Sequence, residues 1–257
     1  MQVELTGKVV LITGAGNGIG AAAARLAAAS GAGALFLTDR DAAALARTAE
    51  TLEGARTATL VADLEDPAAP EAIARAATGA FGQIDGLVNS AGHTFRMGLG
   101  DATLGGWERM LALNSRAPFF LMQQAVADMR ARGAPGSIVN IQSMHARIGL
   151  PDLAVYAASK AALQVLTRNI ANAEKAHGIR VNGLNLGWVL TESEMRMQAE
   201  VLGRGPGWVE ETAAGLPLGR LITPEEVARQ IVHLLSDASA PMTGVSIDFD
   251  QNVFGGQ

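Results

Sequence analysis

Short runs of β-branched and apolar residues alternate with longer segments of helical period along the chain, and no other feature constrains the fold as tightly. Apolar runs separated by helices form βαβ units, in which a parallel sheet is buried on both faces. The pattern predicts strands over residues 8–13, 34–39, 58–63, 84–89, 137–142, 180–184 and 245–249. It predicts helices over 18–30, 41–52, 67–80, 107–132, 153–177 and 224–236. The expected architecture is a single α/β domain over residues 1–257, doubly wound, with a seven-stranded parallel sheet and helices on both faces. One stretch, 191–219, is rich in Glu, Met and Gly and lacks either period. A connection that long more often covers a site than fills space, so it is a candidate substrate lid.

Composition narrows the function. Hydrophobic residues make up 49% of the 257, enough for a large core and too many for a disordered chain. The net charge of −5 repels a phosphate backbone, so nucleic acid is not an expected partner. With no Cys there is no thiolate ligand or nucleophile, and the four His lack metal-binding spacing, so no metal site is expected. The start, with acidic Glu4, has neither the basic residues nor the apolar run of a signal peptide, and no run of 18 apolar residues occurs. A soluble, cytoplasmic protein without a membrane partner is the expectation.

After the first strand the chain reads Thr13-Gly14-Ala15-Gly16-Asn17-Gly18-Ile19-Gly20 and enters an Ala-rich helix. Glycines there let backbone N–H groups approach a pyrophosphate at the positive end of the helix dipole, though a plain strand-to-helix turn would also use them. The spacing departs from G-x-G-x-x-G, because Ile19 stands where the last Gly would be. Asp39 closes the second strand, 19 residues past Gly20, where a carboxylate can accept both ribose hydroxyls of an adenosine; it could equally cap the next helix. Arg40 beside it is a counter-signal, since a guanidinium could hold a 2′-phosphate.

Tyr156 is the sole tyrosine, and Lys160, one of three lysines, follows it by four residues. On a helix that spacing puts both on one face. Chance would produce it about once in a hundred such chains. A phenol ionises near pKa ~10 and needs a positive charge nearby to act as a base at neutral pH, which Lys160 can supply. Ser143 stands 13 residues before Tyr156, at the end of the fifth strand, where open α/β sheets present ligand-facing groups. Asn114 precedes Pro118 by four residues; proline has no N–H, so the Asn114 carbonyl loses its helical partner, by a functional design or by a mere kink.

The T-G-x-x-x-G-x-G loop, Asn89-Ser90-Ala91-Gly92, Ser143 and the Tyr156/Lys160 pair together resemble the short-chain dehydrogenase/reductase family, from Thr13 to Gly244. The resemblance implies a Rossmann fold, a homodimer or homotetramer, and hydride transfer between nicotinamide and an alcohol or carbonyl carbon. It carries an acid/base role to Tyr156 and substrate-oxygen binding to Ser143. To Lys160 it carries ribose binding and lowering of the tyrosine pKa, and to Asn114 a relay water. It implies cofactor contacts at Gly14, Asn17, Gly18, Ile19, Gly20, Asp39, Asp63, Leu64, Asn89, Ala91, Gly92, Tyr156, Lys160, Gly187, Val189 and Thr191. Asn17 stands where NADP-using relatives often carry a basic residue, so with Asp39 the cofactor expected is NAD. Two departures stand out: Leu186-Gly187-Trp188 where relatives have Pro-Gly, and Asp250-Gln251-Asn252 in place of D-G-G.

His93, His145, Trp188 and Glu192 are the candidate substrate contacts, with Gln142, Met144, Glu194, Met195 and Met197 nearby in sequence. The histidines could instead be solvated loop residues, and the methionines lid packing. Such hydrogen-bonding groups suit a sugar or polyol. The expected function is therefore an NAD-dependent dehydrogenase of a secondary alcohol. The alternatives are an NADPH-dependent carbonyl or 3-oxoacyl-thioester reductase, and a non-catalytic NAD-binding sensor.

Overall fold

The computed structural model describes residues 3–52 and 54–255; Met1, Gln2, Glu53, Gly256 and Gln257 lie outside the described residues. Seven parallel strands form one sheet: β1 Val9–Thr13, β2 Ala34–Asp39, β3 Arg56–Val61, β4 Gly86–Asn89, β5 Gly136–Ser143, β6 Ile179–Leu186 and β7 Ser246–Phe249. Their order is β3-β2-β1-β4-β5-β6-β7. The expected single α/β domain is what forms.

The side-chain period of two divides the core. Val10, Ile12, Leu35, Leu37 and Val139 join one apolar cluster, while Leu11, Phe36, Leu87 and Ile138 join another on the opposite face. The first is covered by α1 (Gly18–Ala29), α2 (Ala42–Glu50) and α9 (Pro224–Leu235); the second by α3 (Ala69–Phe81), α5 (Ala117–Ala131) and α6 (Ala154–Glu174). Ala21 to Ala24 and Ala27 give α1 a face of single methyl groups, on which α9 packs closely. Because the order reverses at β1, with β2 on one side and β4 on the other, the loops at their carboxyl ends part and leave a crevice.

Several boundaries differ from the sequence pattern. The expected helix over 107–132 is three pieces: α4 (Leu104–Leu111), a wide π turn (Ala112–Arg116) and α5. Its start lies earlier because Thr103 caps it, accepting from Gly106 N, despite two glycines in the first turn. The 191–219 stretch contains α7 (Glu192–Arg196), a π turn (Met197–Val201) and α8 (Trp208–Ala214), so the candidate lid is helical. β3 begins two residues early and stops at Val61, and β5 and β6 run on to Ser143 and Leu186. No helix among the described residues is long and apolar enough to cross a membrane.

Candidate active site

A cleft of about 650 Å³ opens at the carboxyl ends of the strands. At one end lies the glycine turn. Gly14 has φ +64°, and a Cβ there would sit 2.8 Å from the Ala91 backbone; a Cβ on Gly20 would overlap the Gly14 carbonyl. Thr13 fixes this approach, its Oγ1 accepting from Ser90 N and Ala91 N at 3.1 Å each. Asn17 precedes α1 without a side-chain cap bond, so the first-turn N–H groups have no partner within the helix. Asn17, Gly18, Ile19, Gly20, Asp39, Asp63, Leu64, Ala91 and Gly92 line this end with Gly14.

Asp39 Oδ2 accepts from Gly16 N at 2.9 Å and Oδ1 from Asp41 N at 3.0 Å. It does not cap α2; Asp41 does, accepting from Ala44 N at 2.9 Å. That bond holds the Asp41 carboxyl below its ordinary range. A cradle that any Cβ would fill, an uncapped helix N-terminus and a carboxylate beside them fit a nicotinamide dinucleotide. Asn89 does not take part as expected: it is buried and turned away from the cleft, donating to Asn140 Oδ1 at 2.8 Å. A strand residue whose neighbour faces one side must itself face the other.

Deeper in the cleft Ser143, Tyr156 and Lys160 meet. Ser143 ends β5, its Oγ accepting from His145 N at 3.2 Å. Tyr156 and Lys160 project from consecutive turns of α6, with Lys160 Nζ 5.9 Å from the phenol ring centroid. Burial pushes the Tyr156 phenol up, the hydroxyls of Ser143 and Thr94 pull it down, and the Glu194 charge raises it further. Among protein groups, then, the downward pull comes from two hydroxyls rather than from Lys160 as the sequence suggested. Lys160 donates to Ile141 O at 2.9 Å, and burial brings its pKa down to about 8. Thr94 escaped the sequence reading because no period or motif marks it.

Asn114 lies in the π turn, fully buried, and does not line the cleft. The long helix is not merely kinked; it takes an extra residue per turn just before Pro118, which sits in the first turn of α5. The Asn114 side chain clamps the loop after β4: Oδ1 accepts from His93 N at 3.0 Å, and Nδ2 donates to His93 O at 2.9 Å and Ser159 Oγ at 3.0 Å. Ser159 in turn donates to Tyr156 O at 2.7 Å. A Cβ on Gly92 would lie 3.2 Å from both Asn114 Oδ1 and Lys160 Nζ.

Around this centre stand His93, stacked on Phe95 at 3.9 Å, and His145, edge-on to Tyr156 at 6.2 Å. Both are lowered from the ordinary imidazole pKa, first by burial, then by Arg40 and Arg109 for His93 and by Arg96 for His145. Each keeps a buried Nδ1 with no hydrogen-bond partner. Gly187, Trp188, Val189 and Thr191 line the far wall; Gly187 has room only for a hydrogen against the Asp250 carboxylate. Glu192 is exposed and outside the cleft, so that expectation fails; two residues on, Glu194 faces in. Met197 lines the cleft while Met195 is exposed. Arg96 and the tail residues Asp250, Gln251 and Asn252 also line it, brought there by the tertiary fold.

A family model described as enoyl-(acyl carrier protein) reductase matches residues 14–251. The chain is 35% identical over 252 residues to 2-(S)-hydroxypropyl-CoM dehydrogenase 3 of Xanthobacter autotrophicus, covering 97% of this chain and 98% of that one. It is 39% identical over 253 residues to galactitol 2-dehydrogenase (L-tagatose-forming) of Cereibacter sphaeroides, covering 96% and 95%. The structure of L-sorbose reductase from Gluconobacter frateurii, complexed with NADPH and L-sorbose, superposes with a TM-score of 0.93 at 29% identity over the whole of both chains. With this sheet order, this glycine turn and near full-length likeness to such enzymes, the chain belongs to the short-chain dehydrogenase/reductase family, oxidoreductases that move hydride between a nicotinamide dinucleotide and an alcohol or carbonyl carbon.

Proposed function

We propose that the protein is an NAD-dependent dehydrogenase of a secondary alcohol in a sugar or polyol. The observation that carries the reading is the half-buried Tyr156 phenol beside the hydroxyls of Ser143 and Thr94, one helical turn from Lys160, in a cleft that continues to the glycine turn. The bound nicotinamide supplies the acceptor for the carbinol hydride. Ser143 holds the substrate oxygen, and Tyr156 as phenolate takes its proton, so that an alcohol becomes a carbonyl and the phenolate a phenol. Lys160, protonated below about pH 8, would hold the nicotinamide ribose, while the hydroxyls of Ser143 and Thr94 pull the phenol toward the phenolate. Asn114 is a positioning residue, tying the His93 segment to the α6 turn that carries Tyr156.

The dinucleotide would be held by the Gly14–Gly20 turn, by Asp39 at the adenosine ribose, by Asp63 and Leu64 at the adenine, and by Gly187, Val189 and Thr191 at the nicotinamide. The NAD preference rests on Asp39, whose carboxylate would face a 2′-phosphate. The polyol reading rests on two imidazoles that line the cleft, His93 and His145, of which His145 stands edge-on to Tyr156, and it agrees with the names of the galactitol and L-sorbose enzymes. The test is NADH formation from a panel of alditols and simple secondary alcohols, run in parallel with NADP. Faster turnover of alditols with NAD is expected. Turnover only with NADP, or of none of the panel, overturns the reading.

A further inference from the structure

Glu194 stands out on the substrate side because it is anchored more firmly than a lid carboxylate needs to be. Its Oε1 accepts from Trp188 Nε1 at 2.9 Å and from Gln198 Nε2 at 2.7 Å, while Oε2 has no partner among the described residues. The anchors are themselves braced. Trp188 stacks on the buried Trp208 at 6.0 Å, and Arg204 reaches Gln198 Oε1 at 3.3 Å and Glu211 at 2.9 Å. A carboxylate fixed by two donors, with one oxygen left over in a cleft, is preorganised for a third donor.

Glu194 lines the same cleft as Ser143, His145 and Tyr156. Its charge reaches both His145 and Tyr156. Around it, Asp250 adds a second negative charge, and the one cation at this end that His145 feels, Arg96, is already paired with Asp152. An anionic group brought against Glu194 would meet a carboxylate whose own partners, the Trp188 indole and the Gln198 amide, are neutral. A hydroxyl would meet an acceptor, the unpartnered Oε2 of Glu194.

Resting on the alcohol-dehydrogenase reading above, we infer that Glu194 is a specificity-determining residue that accepts a hydrogen bond from a hydroxyl neighbouring the reacting carbinol. The substrates selected are neutral polyhydroxylated molecules, and those with a carboxylate or phosphate at that position are rejected.

The experiment compares wild type with Glu194→Gln on three substrates: an alditol, an unsubstituted secondary alcohol and a hydroxy acid of matching length. Gln retains an oxygen for Trp188, and far-UV circular dichroism with a thermal melt checks folding. The alditol should lose roughly 10- to 100-fold in kcat/KM, mostly through KM. The plain alcohol should change much less than the alditol, with the common part reflecting loss of the Glu194 charge near Tyr156, and discrimination against the hydroxy acid should fall. Alditol titration should also perturb the fluorescence of Trp188, whose indole N–H is bonded to Glu194, in wild type and not in the variant. Equal losses on alditol and plain alcohol would mean that Glu194 only braces the lid, and an unchanged alditol KM would mean that it contacts no substrate; either overturns the inference and leaves the alcohol-dehydrogenase reading standing. If wild type oxidises no alcohol and alditol leaves its fluorescence unchanged, both fall together.

Discussion

Lys160 should carry a measurable cost of folding. Its ammonium is buried, donates one hydrogen bond, to Ile141 O, and has its pKa lowered from 10.5 to about 8 by loss of water. Keeping it charged in the native state costs about 3 kcal/mol relative to the unfolded chain. Below about pH 8 both states hold the proton and the cost is complete. Between about 8 and 10.5 the native lysine is neutral while the unfolded one is still charged, so the unfolded state binds more protons and stability rises with pH. Lys160→Met removes the titration while filling similar space. Urea unfolding of both proteins from about pH 7 to 10 cancels every group they share. Wild type should gain about 2–3 kcal/mol on the variant over that range. At pH 7 the variant should be the more stable protein, although the lost bond to Ile141 O takes back about 1 kcal/mol. A difference that stays constant across the range would refute the claim that this ammonium is held at the expense of hydration.

Two further outcomes follow from the nucleotide end and the loop clamp. Asp39→Ser removes the carboxylate that would oppose a 2′-phosphate and leaves Arg40 beside the ribose; kcat/KM should fall roughly 10-fold or more with NAD and rise with NADP, measured by initial rates with both. Asn114→Ala strips the partners from His93 N and O, and urea unfolding should show a loss of about 2–4 kcal/mol, more than the usual cost of truncating a buried side chain of that size.

Much of the site was readable because its chemistry is local in sequence. The glycine turn must be glycine where a Cβ would strike the Ala91 backbone or the Gly14 carbonyl, and Tyr156 and Lys160 share a cleft because one helical turn separates them. Strand positions followed from the alternation of Val10, Leu11 and Ile12 between two cores. What escaped depends on orientation and tertiary context. Glu192 and Glu194 are the same residue type, but two residues on a helix lie about 200° apart around the axis, so only one of them faces the cleft. Asn89 was assigned by motif, yet strand alternation turns it toward Asn140. The helices of the 191–219 stretch are short and flanked by Gly203, Gly205, Pro206 and Gly207, which hide any period. The side-chain clamp of Asn114 escaped because its partner, the His93 backbone, comes from a loop 21 residues earlier that only the fold brings alongside.

The central claim is that Tyr156 exchanges the proton of the reacting alcohol. Single-turnover hydride transfer by Tyr156→Phe, followed alongside its affinity for NADH, tests it most directly. The rate should drop by about 1,000-fold or more while NADH binds almost as in wild type. A variant that transfers hydride within a few-fold of wild type would contradict the account.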